Sequence, residues 1–100
     1  MGKYKIRIYS YAKTDLKDIV SYLNTLSPQA AIRYYDLIVE KIGSLSEMPE
    51  RCSFARDVAL KAKGYRYLIA ENYLVFFVIK SDTVQIRRII YGRRNYEWLL

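Results

Sequence analysis

Residues 64–96 read GYRYLIAENYLVFFVIKSDTVQIRRIIYGRRNY, and this stretch decides the fold. It holds three runs rich in β-branched and aromatic residues: Tyr65–Ala70, Tyr73–Lys80 and Thr83–Tyr91. The dipeptides between them, Glu71-Asn72 and Ser81-Asp82, are turn-like, so the runs make two successive hairpins, an antiparallel meander. The middle run contains LVFFVI, apolar at consecutive positions rather than alternate ones. Such a strand is covered on both faces and is expected to be the most buried. Gly92 breaks the last run.

Upstream, Tyr4, Ile6 and Ile8 alternate with Lys5, Arg7 and Tyr9, the pattern of a strand with one buried face. Ser10 is the expected cap of a helix whose apolar positions are Leu16, Ile19, Val20 and Leu23. Asp15 and Asp18 fall in its first half, where the helix dipole favours acids. Ser27-Pro28 starts a second helix, serine as cap and proline at the first helical position. That helix carries Ala31, Tyr34, Tyr35, Ile38, Ile42 and Leu45 and fades near Glu47-Met48-Pro49. The short link Asn24 to Leu26 implies an antiparallel helical hairpin. Residues 49–64 are the least regular, with Phe54, Val58 and Leu60 expected in a short strand or an anchored loop. Beyond the meander, Asn95 is the expected cap of a short C-terminal helical turn carrying Trp98, Leu99 and Leu100. The order predicts an α+β fold: an N-terminal strand, an antiparallel helical hairpin, then a three- to four-stranded antiparallel meander.

A chain of 100 residues, 52% of them hydrophobic, makes one domain over residues 1–100 with ample apolar content for a packed core. Its net charge of +7 is unevenly placed: residues 1–50 carry seven Lys/Arg against six Asp/Glu, residues 51–100 ten against four. That asymmetry suggests a polyanionic partner. There is no histidine and only one cysteine, Cys52. An internal disulfide is therefore impossible, which fits a reducing cytoplasm, and imidazole-dependent zinc sites and catalytic triads are excluded. Asp15, Asp18, Asp36 and Glu40 read as solvated helix surface rather than a carboxylate metal site, and no cofactor is expected. Cys52, with no base beside it, reads as an inert thiol. The N-terminus has no signal-peptide apolar core, Ile6 breaks the myristoylation pattern, and no run reaches membrane-spanning length, so no membrane partner is expected.

Three groups of residues stand out as candidate sites. In the GRRN segment Arg93 and Arg94 are adjacent guanidinium groups, suited to bidentate contact with phosphate. Arg87 and Arg88 are neighbours in a strand, and strict alternation puts Arg88 with Val84, Ile86 and Ile90, Arg87 with Gln85 and Ile89. One of the two charges then lies among buried apolar residues, where it must face a cleft or be paired, with Asp57, Glu71 or Glu97 as candidates. Arg66 lies on the neighbouring strand, preceded by Lys61 and Lys63, with Tyr65 and Tyr67 on the opposite face. Basic residues interleaved with aromatics suit a surface that holds phosphates and stacks bases.

The A-x-x-DL pattern in the first helix (Ala12, Asp15, Leu16), the GYR opening a strand, NYLVFF and the closing RIIYGRRNY together resemble the RelE/ParE superfamily of bacterial type II toxins, over essentially the whole chain. The resemblance implies a cytoplasmic, growth-inhibiting toxin encoded beside an antitoxin whose acidic, flexible C-terminal segment wraps it. In the RelE branch it implies metal-independent cleavage of mRNA on the ribosome. Arg66, Arg88 and Arg94 would then hold the scissile phosphate, with Tyr96, or else Tyr91 or Tyr73, as the proton-transfer group in place of the family's C-terminal tyrosine. Lys61, Lys63, Arg87 and Arg93 would contact RNA or another target. Two departures stand against that branch: Tyr73 occupies the place of an arginine that begins the central strand in RNA-cleaving members, and the usual C-terminal tyrosine position falls near Leu100. The ParE branch lacks those catalytic groups and poisons DNA gyrase by protein contact.

Overall fold

The apolar and alternating runs pair into a single four-stranded sheet in the computed structural model, which describes residues 3–92. Strand β1 (Lys5–Ile8) leads into helices α1 (Ser10–Leu26) and α2 (Pro28–Gly43). Two 3₁₀ turns (Ser44–Ser46 and Pro49–Arg51) and a short helix α3 (Val58–Ala62) follow. The meander is β2 (Arg66–Ala70), β3 (Tyr73–Lys80) and β4 (Thr83–Tyr91). In space the order is β1-β4-β3-β2. The α+β architecture is the expected one, and the meander pairs antiparallel throughout. β1 runs parallel to β4, Lys5 opposite Thr83 and Ile8 opposite Ile86. The first strand thus closes on the last, and a parallel pair of this kind needs a long crossover, which the helices supply. The C-terminal turn expected at Asn95 to Leu100 lies outside the described residues.

Both hairpins turn on two residues, and in each the first carries positive φ, Glu71 at 56° and Ser81 at 54°. A positive φ at that position belongs to a II′-type turn, whose twist matches the flanking strands. Gly64, at φ 86°, performs a similar reversal between α3 and β2, where any side chain would be strained.

The helical starts divide in an instructive way. Ser27 caps α2 as expected, its hydroxyl accepting from the Ala30 N–H at 3.2 Å. Helix α1 extends to Leu26, so the link between the helices is Ser27 alone, shorter than the three residues expected. Ser10 does not cap α1: it is the first helical residue, and Tyr9 holds the cap position with no side-chain bond. The Tyr9 N–H is still donated to the Ile86 carbonyl at 2.9 Å, so the chain leaves the sheet and enters the helix with no residue to spare. Residues 49–64 give one isolated bridge, Phe54 to Arg66, and then α3, capped by Asp57, whose carboxylate accepts from the Leu60 N–H at 3.0 Å.

Apolar side chains pack on both faces of the sheet. On the hairpin side Ala12, Ile38, Ile42 and Leu45 from the helical layer meet Val75, Phe77, Val84, Ile86 and Ile89. On the other side Ala55, Leu60 and Tyr65 cover Phe76, Val78 and Ile90. Phe76 and Phe77, successive residues of β3, are both fully buried on opposite faces, as the LVFFVI run required.

Strict alternation fails in β4. The register passes from Phe77 opposite Ile86 to Phe76 opposite Arg88, leaving Arg87 as an extra residue in a β-bulge. The bulge resets the faces: Val84, Ile86 and Ile89 all join the hairpin-side core, and Ile90 joins the opposite one. The bulge takes Arg88 off the face of Val84 and Ile86, but its side chain is still largely buried and is paired, as the alternation argument required of one of the two.

Among the described residues no helix is long and apolar enough to cross a membrane.

Candidate functional site

Beyond Ile8 the chain of β1 departs into α1, and the β4 edge it leaves behind must be satisfied by something else. Asp15 does this. Its carboxylate accepts from the Ile89 backbone N–H at 2.9 Å, taking the place of a strand neighbour. The same carboxylate accepts from Arg88 Nε at 2.7 Å and Nη2 at 2.9 Å, a bidentate pair. The two side chains are only 14% and 18% exposed. The bond to Asp15 raises the Arg88 pKa above its ordinary value, against the opposing effect of burial. Asp15 is therefore an internal partner and not the solvated helix residue the sequence suggested. Of the expected partners Asp57 and Glu71 are not the ion-pair partner of Arg88, and Glu97 lies outside the described residues.

Arg66 is also engaged internally. Its Nη1 donates to the carbonyls of Cys52 at 2.6 Å and Glu50 at 3.1 Å, and its guanidinium lies 3.9 Å from the centre of the Phe54 ring. It ties the irregular segment to β2. Next to it Cys52 is buried, and burial pushes its thiol up, with Arg51 and Arg66 opposing. In the register Arg66 pairs with Phe77 and Arg88 with Phe76, and the Arg88 guanidinium reaches Asp15 and the Tyr11 ring on α1. β3 stands between their two strands, and each guanidinium is held by partners of its own.

Tyrosines gather instead where β3 begins and β4 ends. Tyr73 is 8% exposed and packs edge-on against Tyr34 (5.9 Å between ring centres) and Tyr91 (5.8 Å). Burial pushes the Tyr73 phenol up, and Tyr34, Tyr91 and Tyr22 add to the shift. These rings, with Asp15, Asp18 and Asn72, border a cleft of about 620 Å³. Tyr73 is thus a wall of this cleft and Tyr91, half-exposed, stands at its rim. A second groove, of about 530 Å³, lies along the helical hairpin, lined by Leu16, Val20, Val39 and Ile42 with Lys13 and Lys17.

Of the other predicted residues, Lys61 in α3 and Lys63 after it are exposed. Arg87, at the bulge, donates to the Gln85 side-chain oxygen at 3.2 Å and lies over the Tyr9 ring. Arg93, Arg94 and Tyr96 lie outside the described residues. Sequence reasoning gave no role to Arg7 and Tyr9, whose alternation along β1 was the available signal. It assigned Asp15 to the surface although the A-x-x-DL pattern had marked that position. Among the described residues no cluster of acidic or cysteine side chains is suited to hold a metal.

The profile of the family described as ParE toxin of type II toxin–antitoxin system, parDE, matches residues 6–96. Two solved structures share the fold. The chromosomal ParDE toxin–antitoxin system of P. aeruginosa aligns with a TM-score of 0.76 and 23% identity, covering 89% of this chain and 96% of that one. The toxin–antitoxin complex RelBE2 of Mycobacterium tuberculosis aligns at 0.61 with 24% identity, covering 89% and 98%. Among curated proteins none matches the chain.

Proposed function

Since the chain belongs to the ParE toxin family of type II toxin–antitoxin systems, we propose that it arrests growth as a binding protein directed at DNA gyrase, without nuclease chemistry. The observation that carries this reading is the state of Arg66 and Arg88. Catalysis on a phosphodiester needs guanidinium groups aimed together at the place where charge develops. Here one is spent on two loop carbonyls and the other on Asp15, and they stand on β2 and β4 with β3 between. Tyr73, buried among other tyrosines with its phenol pushed up, is poorly placed to give or take a proton near neutral pH.

The cognate antitoxin is an acidic segment that neutralises the toxin in the cytoplasm. The hairpin groove supports this: Leu16, Val20, Val39 and Ile42 offer an apolar floor, and Lys13 and Lys17 meet carboxylates on the flanks of an incoming amphipathic helix.

The ribonuclease reading, with ribosome and mRNA as partners, rests on Arg94 and Tyr96 by resemblance, and one pair of assays separates the two. Purified protein is titrated into a gyrase supercoiling reaction and, separately, into reconstituted translation stalled with a vacant A site. Loss of supercoiling with intact mRNA is expected. Cleaved mRNA with unaltered supercoiling overturns the proposal.

A further inference from the structure

The sheet face turned away from the helical hairpin carries a feature the gyrase reading does not use. We propose that Arg7 and Arg87, mounted on the ring of Tyr9, form a binding site for the phosphodiester backbone of a nucleic acid. The placement follows from the strands. In β1 the side chains of Ile6 and Ile8 go to the hairpin-side core, so Arg7 and Tyr9 go to the other face. In β4, Gln85 stands opposite Arg7, and the bulge delivers Arg87 beside Tyr9. The Arg7 guanidinium carbon lies 5.1 Å from the Tyr9 ring centre and that of Arg87 4.7 Å, with Arg87 also 5.9 Å from the ring of Tyr65. One tyrosine thus supports two cations. The bond from Arg87 to Gln85 engages Nη1 of the guanidinium, one nitrogen of the five-donor fork.

Charge distinguishes this pair from its neighbours. Among the described residues the ion pairs are Lys3 with Glu47, Lys5 with Asp82, and Arg88 with Asp15. Lys5 and Arg88 are therefore matched, and among the described residues no carboxylate lies within ion-pair distance of Arg7 or Arg87. Two unmatched guanidinium groups held on one ring repel each other, and a polyanion laid across both relieves that repulsion. Guanidinium forks suit phosphate oxygens, and the interleaved Tyr9 and Tyr65 suit nucleic acid better than a purely carboxylate ligand. The site does not depend on which enzyme the toxin inhibits.

The test is fluorescence anisotropy with the full chain, in the absence of gyrase, using labelled oligonucleotides of one sequence as duplex DNA, single-stranded DNA and single-stranded RNA, over a salt series. At least one form is expected to bind, and the three arms identify which backbone the site takes. Each phosphate contact contributes roughly 0.7–0.9 to the slope of log K against log salt, so Arg7→Ala with Arg87→Ala together should flatten it by roughly 1.4–1.8. Each single change should weaken binding roughly fivefold at low salt. Arg33→Ala removes an equal charge from the ring of Tyr34 on α2, and it should leave the slope within error. Should the alanine pair unfold, as judged by circular dichroism, the lysine pair Arg7→Lys with Arg87→Lys serves instead: it should weaken binding while keeping the slope. No binding to any oligonucleotide, a slope untouched by the alanine pair, or poly-glutamate of equal charge competing as well as the oligonucleotide would each overturn the assignment. Normal gyrase inhibition in that case would leave the proposed function standing.

Discussion

Asp15→Ala should be the most damaging single change to a polar residue of the helical layer. The carboxylate accepts three hydrogen bonds, two from Arg88 and one from the Ile89 N–H. Removing one partner of a buried ion pair costs about 3–5 kcal/mol. With 14% and 18% of the side chains exposed, the low end applies, about 3 kcal/mol in all with the lost backbone acceptor included. For a domain of this size each kcal/mol moves Tm by about 4–8 °C, so a fall of roughly 12–24 °C is expected. The assay is urea unfolding followed by circular dichroism, with a double-mutant cycle through Arg88→Met. A coupling energy of about 2 kcal/mol is expected for side chains in direct contact. Asp18→Ala, an exposed neighbour on the same helix, is the control and should stay within about 0.5 kcal/mol. If Asp15→Ala costs less than about 1 kcal/mol, or if the two changes simply add, the carboxylate does not hold the β4 edge and the account is wrong.

Three further outcomes are expected. Arg66→Ala should free the segment around Glu50 to Cys52, costing about 2 kcal/mol for a charged donor to two carbonyls and raising amide exchange there; unchanged exchange would refute the tie. Ser27→Ala should cost about 1 kcal/mol through loss of the α2 cap, read from the urea midpoint, whereas Ser10→Ala, at a residue that caps nothing, should be nearly silent. The Tyr73 phenol, raised in the folded state, contributes stability that is complete below the ordinary tyrosine value of about 10 and is lost as pH rises from there through the higher folded value. Tyr73→Phe should therefore flatten the alkaline limb of stability, and superimposable limbs for the two proteins would contradict the burial argument.

Those residues also mark how far the sequence could be read. LVFFVI and Ser27-Pro28 announced a doubly covered strand and a helix start because each is a local signal: apolar continuity, and a capping hydroxyl before a fixed φ. The two hairpins were legible from their turns, although it is Glu71 and Ser81, not Asn72 and Asp82, that adopt the positive φ. Helix α3 was missed because its five residues are too few for a period to register. The fate of Arg88 was misjudged for a different reason. Alternation assumes an unbroken ladder, and one extra residue at Arg87 reverses every side chain after it. The partner of Arg88 stands 73 positions away in the chain, and no window of neighbouring residues contains that information. The A-x-x-DL pattern pointed to Asp15, but helical periodicity assigned it to solvent.

The parallel pairing of β1 with β4 bears on when this molecule becomes complete. Lys5 must find Thr83, so β1 waits for β4, with the helical layer, β2 and β3 lying between them in the chain. Contacts of such sequence separation are closed late and slowly. Until then Ile6 and Ile8 have no β4 to pack beside, and Arg7 and Arg87 have not met. The hairpin groove, which takes Ile8 from β1 and Ile89 from β4 into its lining, and the Tyr9 platform that carries Arg7 and Arg87 therefore come into being together, when the last strand docks.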